Sequence, residues 1–232
     1  MTTDAMYRAL FDSELEVDEA DLKAMVRRGE VVVDDHDVAL LGHRNRVALA
    51  LGPVERVTGA PVPELAPGLA RWDISLLCVL HPSPGCTFRR ARLTVDLRPT
   101  ASAIVRDMSP REVQGDQPLE ITTTVEAGLK FAVIPSVLEV DARRERASTR
   151  NVHEPTVVTS GKGFSRAFWD FRAGDGARLQ PDREMRLLVD APDGAPLLAR
   201  FNLTATVAVD GAAQLVPLLR RRAEIDQTYR LA

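Results

Sequence analysis

Period-two alternation of apolar and polar residues over 69–210 constrains this chain more than any other feature. Ala91, Leu93, Val95 and Leu97 fall at one parity, and Arg90, Arg92, Thr94 and Asp96 at the other. Leu119, Ile121, Thr123 and Val125 alternate with Glu120, Thr122, Thr124 and Glu126. Met185, Leu187 and Val189 form a shorter run. Ala199, Phe201, Leu203, Ala205 and Val207 alternate with Arg200, Asn202, Thr204 and Thr206. Successive strand side chains point to opposite faces, so each run describes a strand with one apolar and one wet face, the mark of antiparallel sheets. Trp72, Ile74, Leu76, Cys78 and Leu80 make a further strand. Leu77 and Val79 make its other face apolar as well, which predicts a central position.

The flanks read differently. Residues 1–30 are predicted helical. Asp18 suits an N-cap, Gly29 a C-terminal stop, and Leu22, Met25 and Val26 an apolar docking stripe. Val31–Val33, Val38–Leu41 and Val47–Leu51 read as short strands, the last two forming a hairpin around residues 42–45. Pro53, Pro61, Pro63 and Pro67 mark a linker or long loop. After Gly211, Leu215, Leu218, Leu219 and Ile225 suit a helix or an edge strand, with Pro217 a constraint on either. The expected fold is mainly β, an antiparallel β-sandwich-like core with a small N-terminal α+β segment. Its expected division is 1–52, helix and short strands; 53–68, linker or loop; 69–211, sandwich core; and 212–232, helix or edge strand.

Chemical signatures are sparse. Asp34-Asp35-His36-Asp37 lacks the glycine and distant glutamate of a calcium loop and reads as a solvated turn. Cys78, His81 and Cys86 offer three zinc ligands where four are needed, and Cys78 sits at an apolar parity. Ser160-Gly161-Lys162-Gly163-Phe164-Ser165 lacks the full phosphate-loop spacing, although its glycine amides suit an anion. No Gly-x-Ser-x-Gly elbow or His-Glu-x-x-His is present, and His36, His43, His81 and His153 fall in predicted turns or loops. Phe168-Trp169-Asp170-Phe171 is the densest aromatic cluster. Its spacing predicts an inward Trp169 and Phe171 rather than a ligand platform. The arginine sets at Arg89, Arg90 and Arg92, at Arg143, Arg144 and Arg146, and at Arg220, Arg221 and Arg222 read as solvated faces or sheet edges. No catalytic residue, metal ligand or cofactor is expected.

Net charge is -3 and the pI about 5.9, which argues against nucleic acid and against anionic membranes as partners. Two cysteines in 232 residues are no disulfide framework. Met1–Phe11 shows no basic-then-apolar leader pattern, and no apolar run is long enough to span a bilayer as a helix. The three lysines, Lys23, Lys130 and Lys162, against many arginines suggest a high-GC bacterial source. The leading expectation is a non-catalytic protein–protein interaction module in a bacterial cytoplasm, with Leu22, Met25 and Val26 meeting a protein partner. One alternative is an enzyme of hydrolase-like type whose groups meet only in space. The other is a pore-forming or membrane-remodelling protein, resting on the amphipathic runs Phe88–Arg98 and Leu119–Glu126.

Overall fold

In the computed structural model the alternating runs become strands, each paired antiparallel with its neighbours. The structure describes residues 7–29, 45–58, 65–110, 112–124, 128–132, 148–173, 179, 182–209, 215–220 and 222–232. The elements are β1 (Arg8–Val17), α1 (Glu19–Arg27), β2 (Arg46–Arg56), β3 (Leu69–His81), β4 (Cys86–Asp96), β5 (Ile104–Ser109), β6 (Glu112–Thr124) and β7 (Gly128–Ala132). There follow β8 (Ser148–Ser160), β9 (Arg166–Arg172), β10 (Asp182–Pro192), β11 (Leu198–Val209), β12 (Leu215–Arg220), α2 (Arg222–Ile225) and β13 (Thr228–Arg230). The predicted strands at Val31–Val33 and Val38–Leu41, and the acidic cluster at Asp34–Asp37, lie outside the described residues.

The protein is mainly β with little helix, and its antiparallel sheet is nearly closed into a barrel. The strand order is β5-β10-β3-β2-β1-β12-β11-β4-β9-β8-β6-β7, with β13 on β11. The two ends of the body approach one another where β5 meets the loop before β9. Gly163 N–H donates to Val105 O at 2.6 Å, and Val105 N–H to Phe164 O at 2.9 Å.

One parity of every well-packed strand faces the core. Ile74 and Leu76 of β3, Leu93 and Val95 of β4, Leu187 and Val189 of β10, and Phe201 and Leu203 of β11 are all fully buried in a single cluster. A side chain of this kind contributes about 1.5–3 kcal/mol on burial. A one-residue slip would turn a whole strand's set outward, so the pattern fixes the register. β3 pairs with both β2 and β10, the central place its two apolar faces predict.

Two terminal expectations are corrected. Residues 8–17 form a strand where a helix was predicted. Phe11 and Leu15 have helical spacing in the sequence, but the intervening inward residue is polar Ser13, which is buried and accepts a hydrogen bond from Arg220 Nε at 3.2 Å. The helix is limited to α1, where Asp18 accepts from the Ala20 and Asp21 amides and Gly29 adopts φ +73°. Residues 215–220 form an interior strand between β1 and β11 rather than a helix or edge. Pro217 is tolerated because its carbonyl takes the Asp18 amide at 3.0 Å, while the Asp18 carbonyl is taken by Leu22 N–H at 2.8 Å. No carbonyl is left wanting the amide hydrogen that proline lacks.

Candidate functional site

Strand β6 carries its alternation to one end of the sheet path. It pairs with β8 on one side and β7 on the other, and only Val157–Ser160 of β8 join the segment to β9. Register places Leu119 opposite Val152, Ile121 between Arg150 and Phe131, and Thr123 between Ser148 and Leu129. At the other parity, Glu120 lies between Asn151 and Ala132, and Thr122 between Thr149 and Lys130. Directly paired residues share a face, so one face is richer in apolar residues and the other in polar ones. β6 and β8 each have 13 residues, and their unbroken pairing runs from Pro118 with His153 to Thr123 with Ser148. The other amphipathic run, Phe88–Arg98, is committed to the body: β4 lies between β11 and β9 with Ala91, Leu93, Val95 and Leu97 buried.

The base of this segment is the turn from β8 into β9. Gly161 has φ +114°, and a Cβ there would lie 2.4 Å from Ala167 Cα and 2.5 Å from Arg166 O, a contact only glycine avoids. Of the glycine amides expected to suit an anion, that of Gly163 is used within the protein. Gly163 N–H donates to Val105 O and Phe164 N–H to Gly161 O at 3.1 Å, so neither amide is available to an anion. Lys162 and Phe164 are exposed beside an open cavity of about 450 Å³ that Asp107, Met108, Thr159 and Ser160 also line.

Strand β9 anchors that base. Trp169 and Phe171 face the core as their spacing predicts, and Trp169 Nε1 donates to Ser109 O at 3.3 Å. Asp170, at the opposite parity, is nonetheless buried. Arg90 holds it through Nε at 3.0 Å and Nη2 at 2.7 Å, with Arg92 Nη2 at 2.9 Å and Arg172 Nη2 at 3.3 Å. Burial by itself raises this carboxyl's pKa, but the bonds from Arg90 and Arg92 override it and hold the group at about 2. Asp190 repeats the arrangement across β3, β10 and β5. Arg71 reaches it at 2.6 and 3.0 Å and Arg106 at 2.5 Å, and its pKa is lowered against the effect of burial. The β5 register passes over Arg106, which is the extra residue of a bulge that turns its side chain to Asp190.

Because both folded-state pKa values lie below the unfolded value, this stabilisation is complete above about pH 4 and fades as pH falls towards 2. Asp170→Asn should lower stability at pH 7 by about 1–2 kcal/mol, allowing for solvent screening of the half-exposed arginines. It should also flatten the loss of stability between pH 4 and 2. Urea titrations across that range check both effects, and an unchanged acid slope would count against the assignment.

The remaining sequence candidates are dispersed. Met25 is buried on α1, which lies beside β12, Leu22 is half-buried, and Val26 is 58% exposed, so the structure does not present the three as one free stripe. Cys78 and Cys86 are buried free thiols, and burial pushes the Cys78 thiol up to about 12. His81 is exposed. Among the described residues no group of His, Cys, Asp and Glu is arranged to hold a metal. Of the arginine sets, Arg89 and Arg90 are exposed as a solvated face predicts, with Arg90 and Arg92 pairing with Asp170 there, whereas Arg220 is fully buried and corrects the third set. Arg143, Arg144, Arg146 and Arg221 lie outside the described residues. Sequence reasoning missed the Asp190 cluster and Arg220. Arg71 directly opposite Asp190 was the available signal for the former, but only once the register is known.

No protein-family model matches the chain, and no curated protein matches it. Among solved structures it is similar to Clostridium perfringens delta-toxin, at 11% identity and TM-score 0.33, over 80% of this chain and 82% of that one. It is also similar to the membrane-inserted form of the Clostridium perfringens NetB toxin, at 8% identity and TM-score 0.28, over 80% and 88%. A further structure described as a pore forming protein has 8% identity and TM-score 0.30, over 97% and 93%. The names of these neighbours conflict with the expectation of a non-catalytic interaction module, which is not carried further. The cytoplasmic address and the exclusion of a membrane partner are withdrawn with it. At these identities and scores the likeness carries no functional argument. Among the described residues no helix is long and apolar enough to cross a membrane, a statement that does not bear on strands.

Proposed function

We propose that the chain is a pore-forming or membrane-remodelling protein in which β6, β7 and β8 enter a bilayer as antiparallel strands. The observation that supports this reading most is the alternation of β6, carried in register onto β7 and β8 at the end of the sheet path. A membrane strand needs about 9–11 residues, and β6 and β8 exceed that. An open sheet edge is not tolerated in hydrocarbon, so several copies must complete a closed barrel together. The rest of the chain serves as a sandwich-like body, which gives up Val157 of its core when the segment leaves. Insertion requires β8 to part from β9 along the four register pairs from Val157 to Ser160.

The test is dye release from lipid vesicles by the full chain. Ser160 and Phe168 are register partners, at a separation that suits a cross-strand disulfide. The double variant Ser160→Cys, Phe168→Cys should release dye at least about tenfold more slowly when oxidised, and recover on reduction, if strand parting contributes even 1.4 kcal/mol to the barrier. The native thiols are buried and leave the new pair unopposed. Wild-type protein that releases no dye, or an oxidised variant as fast as wild type, would sink the proposal.

A further inference from the structure

Phe164 is the large hydrophobic most exposed among the described residues, at 70%. Its position is fixed rather than loose. Its carbonyl accepts from Val105 N–H, its amide donates to Gly161 O, and Ser165 O takes Leu97 N–H at 2.7 Å. The backbone at Gly161 is pressed against Ala167 too closely for any other residue. The chain therefore uses two positive-φ glycines, Gly161 and Gly163, to hold an aromatic ring in water. Lys162 and Arg166 are exposed on either side of it. The open cavity beside the ring adds Met108, with Asp107 as the opposing charge.

We infer that the Gly161–Arg166 turn is a lipid-contact tip, with Phe164 entering the headgroup–acyl boundary of an anionic bilayer and Lys162 and Arg166 meeting its phosphates. The occupant follows from charge and shape. Asp96, opposite Arg166 in register, is paired with Arg98, so the aromatic keeps a net positive surround on a chain that is negative overall, and apolar burial combined with attraction to anionic lipid is what holds a protein at a bilayer surface. The assignment rests on the membrane reading above and adds the site of first contact. Ser160, the last residue of β8, adjoins the tip, so docking here sets the base of the inserting segment at the surface.

The experiment is co-sedimentation of the full chain with vesicles of phosphatidylcholine alone or mixed with phosphatidylserine, with dye release measured in parallel. Wild type should favour the mixed vesicles. Phe164→Ala should weaken that binding about tenfold or more, as expected for losing a buried aromatic. Lys162→Glu should weaken it about fivefold or more on mixed vesicles only. Val26→Ala, at the other exposed hydrophobic, should bind as wild type, and all three variants should melt with wild type. Wild type that ignores vesicles, wild type indifferent to phosphatidylserine, or Phe164→Ala that binds normally overturns the inference. Binding lost in Phe164→Ala while wild type releases no dye upholds the tip and defeats the pore. Dye release with unaltered Phe164→Ala binding does the reverse.

Discussion

Trp169→Ala is expected to remove about 3–5 kcal/mol of stability, the cost of deleting a large buried aromatic and leaving its cavity. Trp169 is completely buried, heads the fully buried side chains by volume, and lies between Leu93 of β4 and Thr159 of β8 in register. Truncation also leaves the Ser109 carbonyl without the indole donor, a further penalty for a buried polar group. A drop of about 10 °C in melting temperature is the matching thermal result. Trp169→Phe should fall between the two, keeping most of the volume and losing the hydrogen bond. Denaturant unfolding measures these directly. A loss below about 1 kcal/mol for the alanine variant would show that the site collapses around the change and that the ring is not the keystone of β9.

Arg220→Met should cost a comparable 3–5 kcal/mol, because it breaks one side of a buried polar network rather than replacing the whole of it. Arg220 is fully buried, with its guanidinium carbon 3.7 Å from the Phe11 ring centroid. It donates to Ser13 Oγ at 3.2 Å, Phe201 O at 2.9 Å and Tyr229 Oη at 2.7 Å, with Glu224 Oε2 at 3.4 Å. Its setting explains why an arginine belongs here. β12 pairs with Thr204–Ala208 of β11 and β13 with Leu198–Arg200, which leaves Phe201 in a gap between them. The guanidinium fills that gap and satisfies the carbonyl that no strand reaches. Methionine matches the volume and supplies no donor. Amide exchange at Thr228–Arg230 should accelerate together with the fall in global stability. Retained stability would mean that the network roughly balances its own desolvation.

The strands were legible because their inward parity is apolar almost without interruption. Ala91, Leu93, Val95 and Leu97 show β4, its buried face and its amphipathic character without any knowledge of neighbours. β1 was not legible, because its inward row includes Ser13, and Ser13 is inward only because Arg220 arrives from the far end of the chain. The same residue hid the nature of the tail: Arg220 beside Arg221 and Arg222 looks like a charged surface, and only the gap in β11's partners makes it a core residue. The Asp170 and Asp190 clusters share this cause. Each carboxylate stands at a solvent parity and is buried by arginines from adjacent strands, a fact of register that composition does not carry. At the candidate site the alternation of Leu119–Glu126 was visible, whereas its position at the end of the sheet path was not. In the sequence Phe164 is legible only as part of a glycine-bearing loop. Its exposure depends on how that loop is laced to β5.

The place of β12 between β1 and β11 also governs how the chain can reach its native state. Leu15–Val17 have Leu218–Arg220 as ladder partners, and Ser13 and Arg220 are 207 positions apart. Closing so long a loop must precede any gain from the pairing, so the native sheet has high contact order and slow assembly. During synthesis the edge of β1 and the Phe201 gap stay open until the last strands emerge from the ribosome. For that interval the nascent chain exposes pairing groups that neighbouring copies can capture.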